Sequence, residues 1–161
     1  MNKIKATKYQ TVLNILSLLV LIGTILYLII FWNTIPQKIP GHYNGNGIID
    51  RWGNKSELII PLVIGIIMYL GLSFVERCTK IWNIGVEVNE INREKVYSLT
   101  RELLITSKFF LTLNFSFLTI NSSLSLNLPN WYTLIFVGLL FVVIVVYTIR
   151  LILLNRKVKH I

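Results

Sequence analysis

From Tyr9 to Gln37 the chain carries no charged residue, and Val12 to Trp32 is almost unbroken apolar sequence. About twenty apolar residues let an α-helix cross the roughly 30 Å hydrocarbon core of a bilayer. Inside that core every backbone polar group must find its partner within the protein, which leaves helix as the structure for such a run. A first membrane span is therefore expected over about 12–32. The run exceeds the apolar stretch of about 7–15 residues in a secretory leader, and no small-x-small site follows it, so it is read as retained.

Three further segments obey the same logic. Leu58 to Val75 is free of charge and lies between Glu57 and Glu76. Its Pro61 falls in the first turn, where a missing N–H is least harmful, and the span is placed at about 58–76. A more polar third span, about 103–121, contains Lys108. After Lys108 no charge appears until Arg150, enough chain for two spans only if it breaks. "NSSLSLNLPN", Asn121 to Asn130, supplies that break, and a fourth helix is expected over about 131–154. The composition agrees: 54% of residues are hydrophobic and only 14% charged, against about a quarter charged in soluble domains. The expected fold is an all-α integral membrane protein with four transmembrane helices. Residues 1–121 form its main membrane domain, and 122–161 hold the fourth helix and a basic tail.

The net charge of +9 does not point to nucleic acid, because the basic residues lie between the apolar segments, at the level of lipid headgroups. A bilayer with anionic headgroups is the expected partner. Lys3, Lys5 and Lys8 precede the first span. Arg77, Lys80, Arg93, Lys95 and Arg101 follow the second, and Arg150, Arg156, Lys157 and Lys159 close the fourth. By the positive-inside rule both termini and the 77–102 loop are expected in the cytoplasm, and the 34–57 loop outside. Trp32, Trp131 and Tyr132 would sit at the outer interface, Tyr9 and Tyr147 at the inner one. Over "NREKVYSLTRELL", Asn92 to Leu104, Val96, Leu99, Leu103 and Leu104 share a helical face. This predicts an amphipathic cytoplasmic helix lying along the membrane before the third span. Cys78, the single cysteine, excludes an internal disulfide.

Polar residues recur inside the spans: Asn14, Ser17 and Thr24 on the first, and Lys108, Thr112, Ser116 and Thr119 on the third, with Asn114 and Asn121 nearby. Such residues turn inward and bond across helices. They can also line a polar cavity, an ion path or a small-molecule site, for which Asn14, Lys108, Thr112 and Asn114 are the candidates. Lys108 is close enough to the cytoplasmic boundary to snorkel, and no acidic residue is expected mid-membrane to form a proton relay with it.

The outer loop "IPGHYNGNGIIDRWGNK", Ile39 to Lys55, is dense in turn-forming and hydrogen-bonding residues. Asn44-Gly45 and Asn46-Gly47 favour a tight turn, with His42-Tyr43 and Ile48-Ile49 flanking it as a hairpin. That would bring His42 near Asp50, where a carboxylate can fix the histidine tautomer for acid–base work or simply hold the loop shut. Trp52 would anchor the returning chain, and Ser56 would cap the second helix. His42 and Asp50 are the only weak metal candidates, a poor ligand set for zinc or calcium, so no metal and no cofactor are expected. No nucleophile–histidine–acid array or phosphate-binding glycine loop is present.

The same stretch resembles a bacterial membrane family, the domain of unknown function 1648 (DUF1648), related to SdpI-like immunity proteins. Its pattern, roughly I-P-x-H-[FY]-N-x-x-G-x-x-D-x-W-x-x-K, is met by Ile39, Pro40, His42, Tyr43, Asn44, Gly47, Asp50, Trp52 and Lys55. "INREKVYSLTRELL" is similar to the family's second recognisable stretch, so the resemblance extends over about the first 120 residues. It implies a bacterial cytoplasmic-membrane protein of the toxin-immunity or envelope-stress type. Such a protein would recognise a secreted toxin peptide or a cell-envelope lipid outside, and would have the means to hold a cytoplasmic regulator. The expected ligand contacts are His42, Tyr43, Asn44, Asp50, Trp52 and Lys55. The alternatives are an outer-leaflet enzyme, with His42 as base, Asp50 as its orienter and Lys55 as electrostatic stabiliser, or a channel or transporter subunit. No catalytic residue is assigned.

Overall fold

The structure, a computed structural model, describes residues 5–159, with side chains through Arg156. Lys3 and His160, and the side chains of Lys157 and Lys159, lie outside the described residues. Four helices are long and apolar enough to cross a membrane: α1 (Lys8–Phe31), α2 (Ile59–Val75), α3 (Arg93–Ser123) and α4 (Tyr132–Lys159). The fold is not purely helical. An antiparallel hairpin, β1 (Lys38–Tyr43) and β2 (Ile49–Asn54), lies between α1 and α2.

The helix ends reflect local chemistry. Thr7 and Gln10 cap α1 reciprocally, each side chain accepting the other's backbone N–H at 3.2 Å, which satisfies two donors that a helix start leaves open. The entry to α2 differs from the Ser56 cap expected from sequence. A single 3₁₀ turn, Lys55–Leu58, precedes the helix, and the Glu57 carboxylate accepts the Asn54 N–H at 3.0 Å. The start therefore sits two residues earlier, where the strand ends. Pro61 lies in the first turn of α2 as expected.

α3 is one continuous helix of 31 residues, about 46 Å at 1.5 Å per residue. It exceeds a 30 Å hydrocarbon core by roughly ten residues. The amphipathic stretch expected along the membrane surface does turn into the third span, but without a bend that would lay it flat: Arg93 to Leu104 is the first three turns of α3. Its apolar face is spent on packing within the protein. Val96 is fully buried, Gln10 of α1 donates to the Ser98 carbonyl and hydroxyl at 3.2 Å, and Tyr97 meets Trp82 edge to face.

α3 is the centre of the molecule and packs against α1, α2 and α4, whereas α1 touches α2 only slightly. The interior is inverted relative to a soluble protein. Thr112, Asn114, Ser116 and Thr119 of α3 are buried, as are Ser17 and Thr24 of α1, while Ile29, Ile30, Leu134 and Phe141 are exposed on the outside. The cross-helix bonding expected of the hydroxyls is largely absent. Ser17, Thr24, Thr112 and Thr119 each donate to the carbonyl four residues back in their own helix, a bond always within reach. These residues act as small, self-satisfied surfaces for close approach. Bonds between helices use longer side chains: Tyr9 and Tyr147 both meet the Thr106 hydroxyl, and Tyr27 meets Ser123. Asn14 keeps a buried Oδ1 with no partner among the described residues.

Lys108 neither snorkels nor lacks an acid. It is 1% exposed and its Nζ donates to Glu76 Oε2 at 2.7 Å and to Ser73 Oγ at 3.0 Å, above the Tyr69 ring. Glu76 caps the C-terminal end of α2, which α3 passes at the level of Lys108. This pair ties α2 to α3 at the end of the bundle away from the hairpin. Removing one partner of a buried ion pair leaves the other charge stranded, a penalty of about 3–5 kcal/mol. Lys108→Met is expected to lower the unfolding midpoint in detergent sharply, and the double variant Lys108→Met with Glu76→Gln to recover much of the loss. Equal losses in both variants would show that the pair does not hold these helices.

Candidate functional site

At the other end, the hairpin and the 124–131 linker meet over the bundle. Asn44 builds the turn: its Oδ1 accepts the N–H groups of Asn46 and Ile48, both at 3.0 Å, and Gly47 takes a φ of +79°. Gly47 is also pressed against the linker. Its carbonyl accepts the Leu128 N–H at 2.8 Å, and a Cβ there would lie 2.5 Å from the Leu128 oxygen. Asn127 Oδ1 accepts the Ile49 N–H at 2.9 Å. The Tyr43 hydroxyl donates to the Leu126 carbonyl and accepts from Asn121 Nδ2, both at 3.1 Å. Burial pushes the Tyr43 hydroxyl above the usual tyrosine range, with Asn121 and Ser122 pulling the other way, so Tyr43 keeps its donor proton at neutral pH. The hairpin is a docked roof, not a free loop.

Two irregularities shape its strands. Pro40 pairs with Trp52 and His42 with Arg51, so Gly41 is an extra residue on β1; Tyr43 then pairs with Ile49, so Asp50 is an extra residue on β2. Such bulges re-aim side chains locally. Here they bring His42 Nδ1 to 2.6 Å from Asp50 Oδ1, the approach expected from the hairpin. An ionised carboxylate only accepts, so Nδ1 is the donor and Nε2 is left for another partner. The His42 side chain is 63% exposed. Arg51 donates to the Gly41 carbonyl at 2.7 Å and to Glu57 at 2.8 Å, and the carboxylate pushes the Arg51 pKa up. Gly41 leaves room for that guanidinium, since a Cβ there would come within 2.7 Å of it.

Beneath the roof lies a cavity of about 390 Å³. Pro40 to Asn44 cover it, and Ile60 and Pro61 of α2 form one wall. Tyr132, Thr133 and Phe136 of α4 form the other, with Asn114, Leu118 and Ser122 of α3 as its back. Asn114 Oδ1 accepts the Tyr132 hydroxyl, so a buried amide of α3 reaches the cavity directly.

The sequence candidates divide accordingly. His42, Tyr43, Asn44 and Asn114 line one cavity, and Asp50 stands behind His42. Trp52 is exposed on β2 and does not line it. Lys55 is turned away: it is buried, and its Nζ donates to the Trp32 carbonyl at 3.0 Å over the Trp32 ring, closing the end of α1. Ile39 and Leu58 form with Leu28 and Ile35 an apolar core, against which Trp32 also packs. Asn14, Lys108 and Thr112 do not line the cavity. Sequence reasoning missed Ser122, Thr133 and Leu128. A signal existed for one of them, since Asn114, Leu118 and Ser122 recur every four residues on one face of α3. Among the described residues no three histidine, cysteine or acidic side chains gather as a metal site would need.

Residues 19–66 match the model of a family described as a domain of unknown function (DUF1648). They comprise the second half of α1, the hairpin and the first half of α2; the stretch leading into α3 lies outside the match. No curated protein and no solved structure matches the chain.

Replacing Gly47 by alanine combines a left-handed backbone, which costs about 1–2 kcal/mol for a residue with a Cβ, with a clash against Leu128. Gly47→Ala is expected to release the roof, seen as faster hydrogen exchange at the Leu128 and Ile49 amides. Unchanged exchange at both would mean that the tip is not docked through Gly47.

Proposed function

We propose that this chain is a small multi-pass bacterial membrane protein of the toxin-immunity or envelope-stress type, which recognises a peptide or lipid ligand at its hairpin end. The observation that carries the reading is the cavity under the hairpin. It joins the histidine of the loop motif to Asn114 and Ser122 of the central helix, in the size range of small-molecule sites, about 300–1,000 Å³. The basic end, with Lys80, Arg93 and Arg150, faces the cytoplasm on the positive-inside rule, which puts both termini inside and the hairpin outside. The anionic inner leaflet is the partner of that basic end, and a cytoplasmic regulator would dock there. The family match covers the hairpin and the adjoining halves of its two flanking helices, so the roof of the site lies in the matched part. The His42–Asp50 pair supports recognition better than hydrolysis, because among the described residues no hydroxyl or thiol nucleophile is bonded to His42.

Protection of a sensitive bacterium tests this. Cells expressing the wild-type chain are expected to survive toxic culture supernatant of the source organism. Asp50→Ala removes a hydrogen bond to a charged group, worth about 1.5–3 kcal/mol, and is expected to reduce protection by about one order of magnitude or more at equal membrane levels. Wild-type cells that die like empty-vector cells would overturn the immunity reading.

A further inference from the structure

We infer that the ligand is a single-chain amphiphile with an uncharged, hydrogen-bonding head, and that it enters sideways from the outer leaflet between α2 and α4. This rests on the ligand-recognition reading above and narrows it. α2 and α4 both pack on α3 but not appreciably on each other, so a cleft remains between them above the back wall of Leu118. The cavity lies in that cleft. Its two lips, Ile60 of α2 and Thr133 of α4, are exposed and stand near the starts of helices whose outer faces are otherwise apolar. A ligand reaching this opening travels in the bilayer, and the walls of Pro61, Leu118 and Phe136 suit a hydrocarbon chain.

The roof and back define the head. Asn114 is buried, and its amide Nδ2 has no partner among the described residues while its Oδ1 holds Tyr132. The cavity thus offers an inward N–H donor from Asn114. At its rim the second nitrogen of His42 remains open once Nδ1 is committed to Asp50. No open charge lines the space. Glu57 is its one acid, and its two oxygens already serve Arg51 and the Asn54 N–H. Arg51 is committed to Glu57 and Gly41, and Lys55 to Trp32. A hydroxyl, glycerol or amide head matches one inward donor and one imidazole nitrogen. A phosphate would find no cation and would be buried without compensation.

The test uses the full chain reconstituted in phosphatidylcholine vesicles, with a monoacylglycerol carrying a photoreactive group in its chain. Cross-links are mapped by mass spectrometry. Saturable labelling is expected around Leu118 and Phe136, displaced by excess unlabelled monoacylglycerol. Thr133→Trp, which fills the lip, should reduce it at least about tenfold, and Thr133→Ser should leave it intact. His42→Ala should raise the half-saturating concentration several-fold. Labelling at the outward-facing Phe141 should rise without saturation in all variants. Cleft labelling that behaves like Phe141, or that ignores Thr133→Trp, would overturn the inference. Saturation by a photoreactive lysophosphatidylglycerol in place of the monoacylglycerol would overturn the uncharged head. If cells are protected but neither lipid saturates the cleft, ligand recognition stands and lateral entry falls, leaving a peptide that reaches the hairpin from water. If protection fails as well, both fall.

Discussion

A helix whose one face carries Lys108, Thr112, Ser116 and Thr119 cannot show that face to hydrocarbon, and the rest of the architecture depends on this. Ionic and amide groups in a bilayer must be covered by protein or by water. α3 is accordingly the helix that packs against all three others, and its polar face becomes the interior. α1, α2 and α4 expose many of their bulk apolar side chains outside, while Leu21, Leu28 and Leu151 turn inward beside Ser17, Thr24 and Tyr147. The hydrophobic effect does not pull the helices together, since lipid is as apolar as leucine. Cohesion comes from close approach at self-satisfied serines and threonines, from a few tyrosine bonds, and from one buried ion pair.

That polarity is handled differently at the two ends of α3. At the basic end Lys108 is neutralised by Glu76 of α2. At the other end Asn121 and Ser122 carry polarity past the bilayer and into the hairpin: Ser122 donates to the Pro40 carbonyl and Asn121 bonds Tyr43. These two residues fasten the roof, and Asn114, about two turns below, supplies the inner surface of the cavity. A second row on α3, distinct from the Lys108 stripe, thus builds the candidate site.

Much of this was legible in the sequence. Charge-free runs gave the four helices, and the Asn-Gly dipeptides and Gly47 gave the hairpin, including the approach of Asp50 to His42. What was not legible depended on which helix lies beside which. Glu76 looked like a boundary residue because only the crossing of α2 and α3 puts it beside Lys108. Lys55 looked like a ligand contact because its partner, the Trp32 carbonyl, is a backbone atom with no sequence signature. The amphipathic start of α3 has the same periodicity whether it lies on a membrane or packs on α1, and only the contact between Gln10 and Ser98 decides. The linker "NSSLSLNLPN" was read as a break, whereas its carbonyls and amides also hold the hairpin tip.

Everything above requires the polar face of α3 to be sealed inside the bundle while its opposite face meets lipid. A nitroxide scan along 108–123, in a Cys78→Ser background in vesicles, measures this through collision with oxygen, which concentrates in hydrocarbon. Low oxygen accessibility at Thr112, Ser116 and Thr119, alternating with high accessibility at Leu113 and Phe117, is the predicted pattern. High accessibility at Thr112 and Thr119, or no helical period at all, would contradict it.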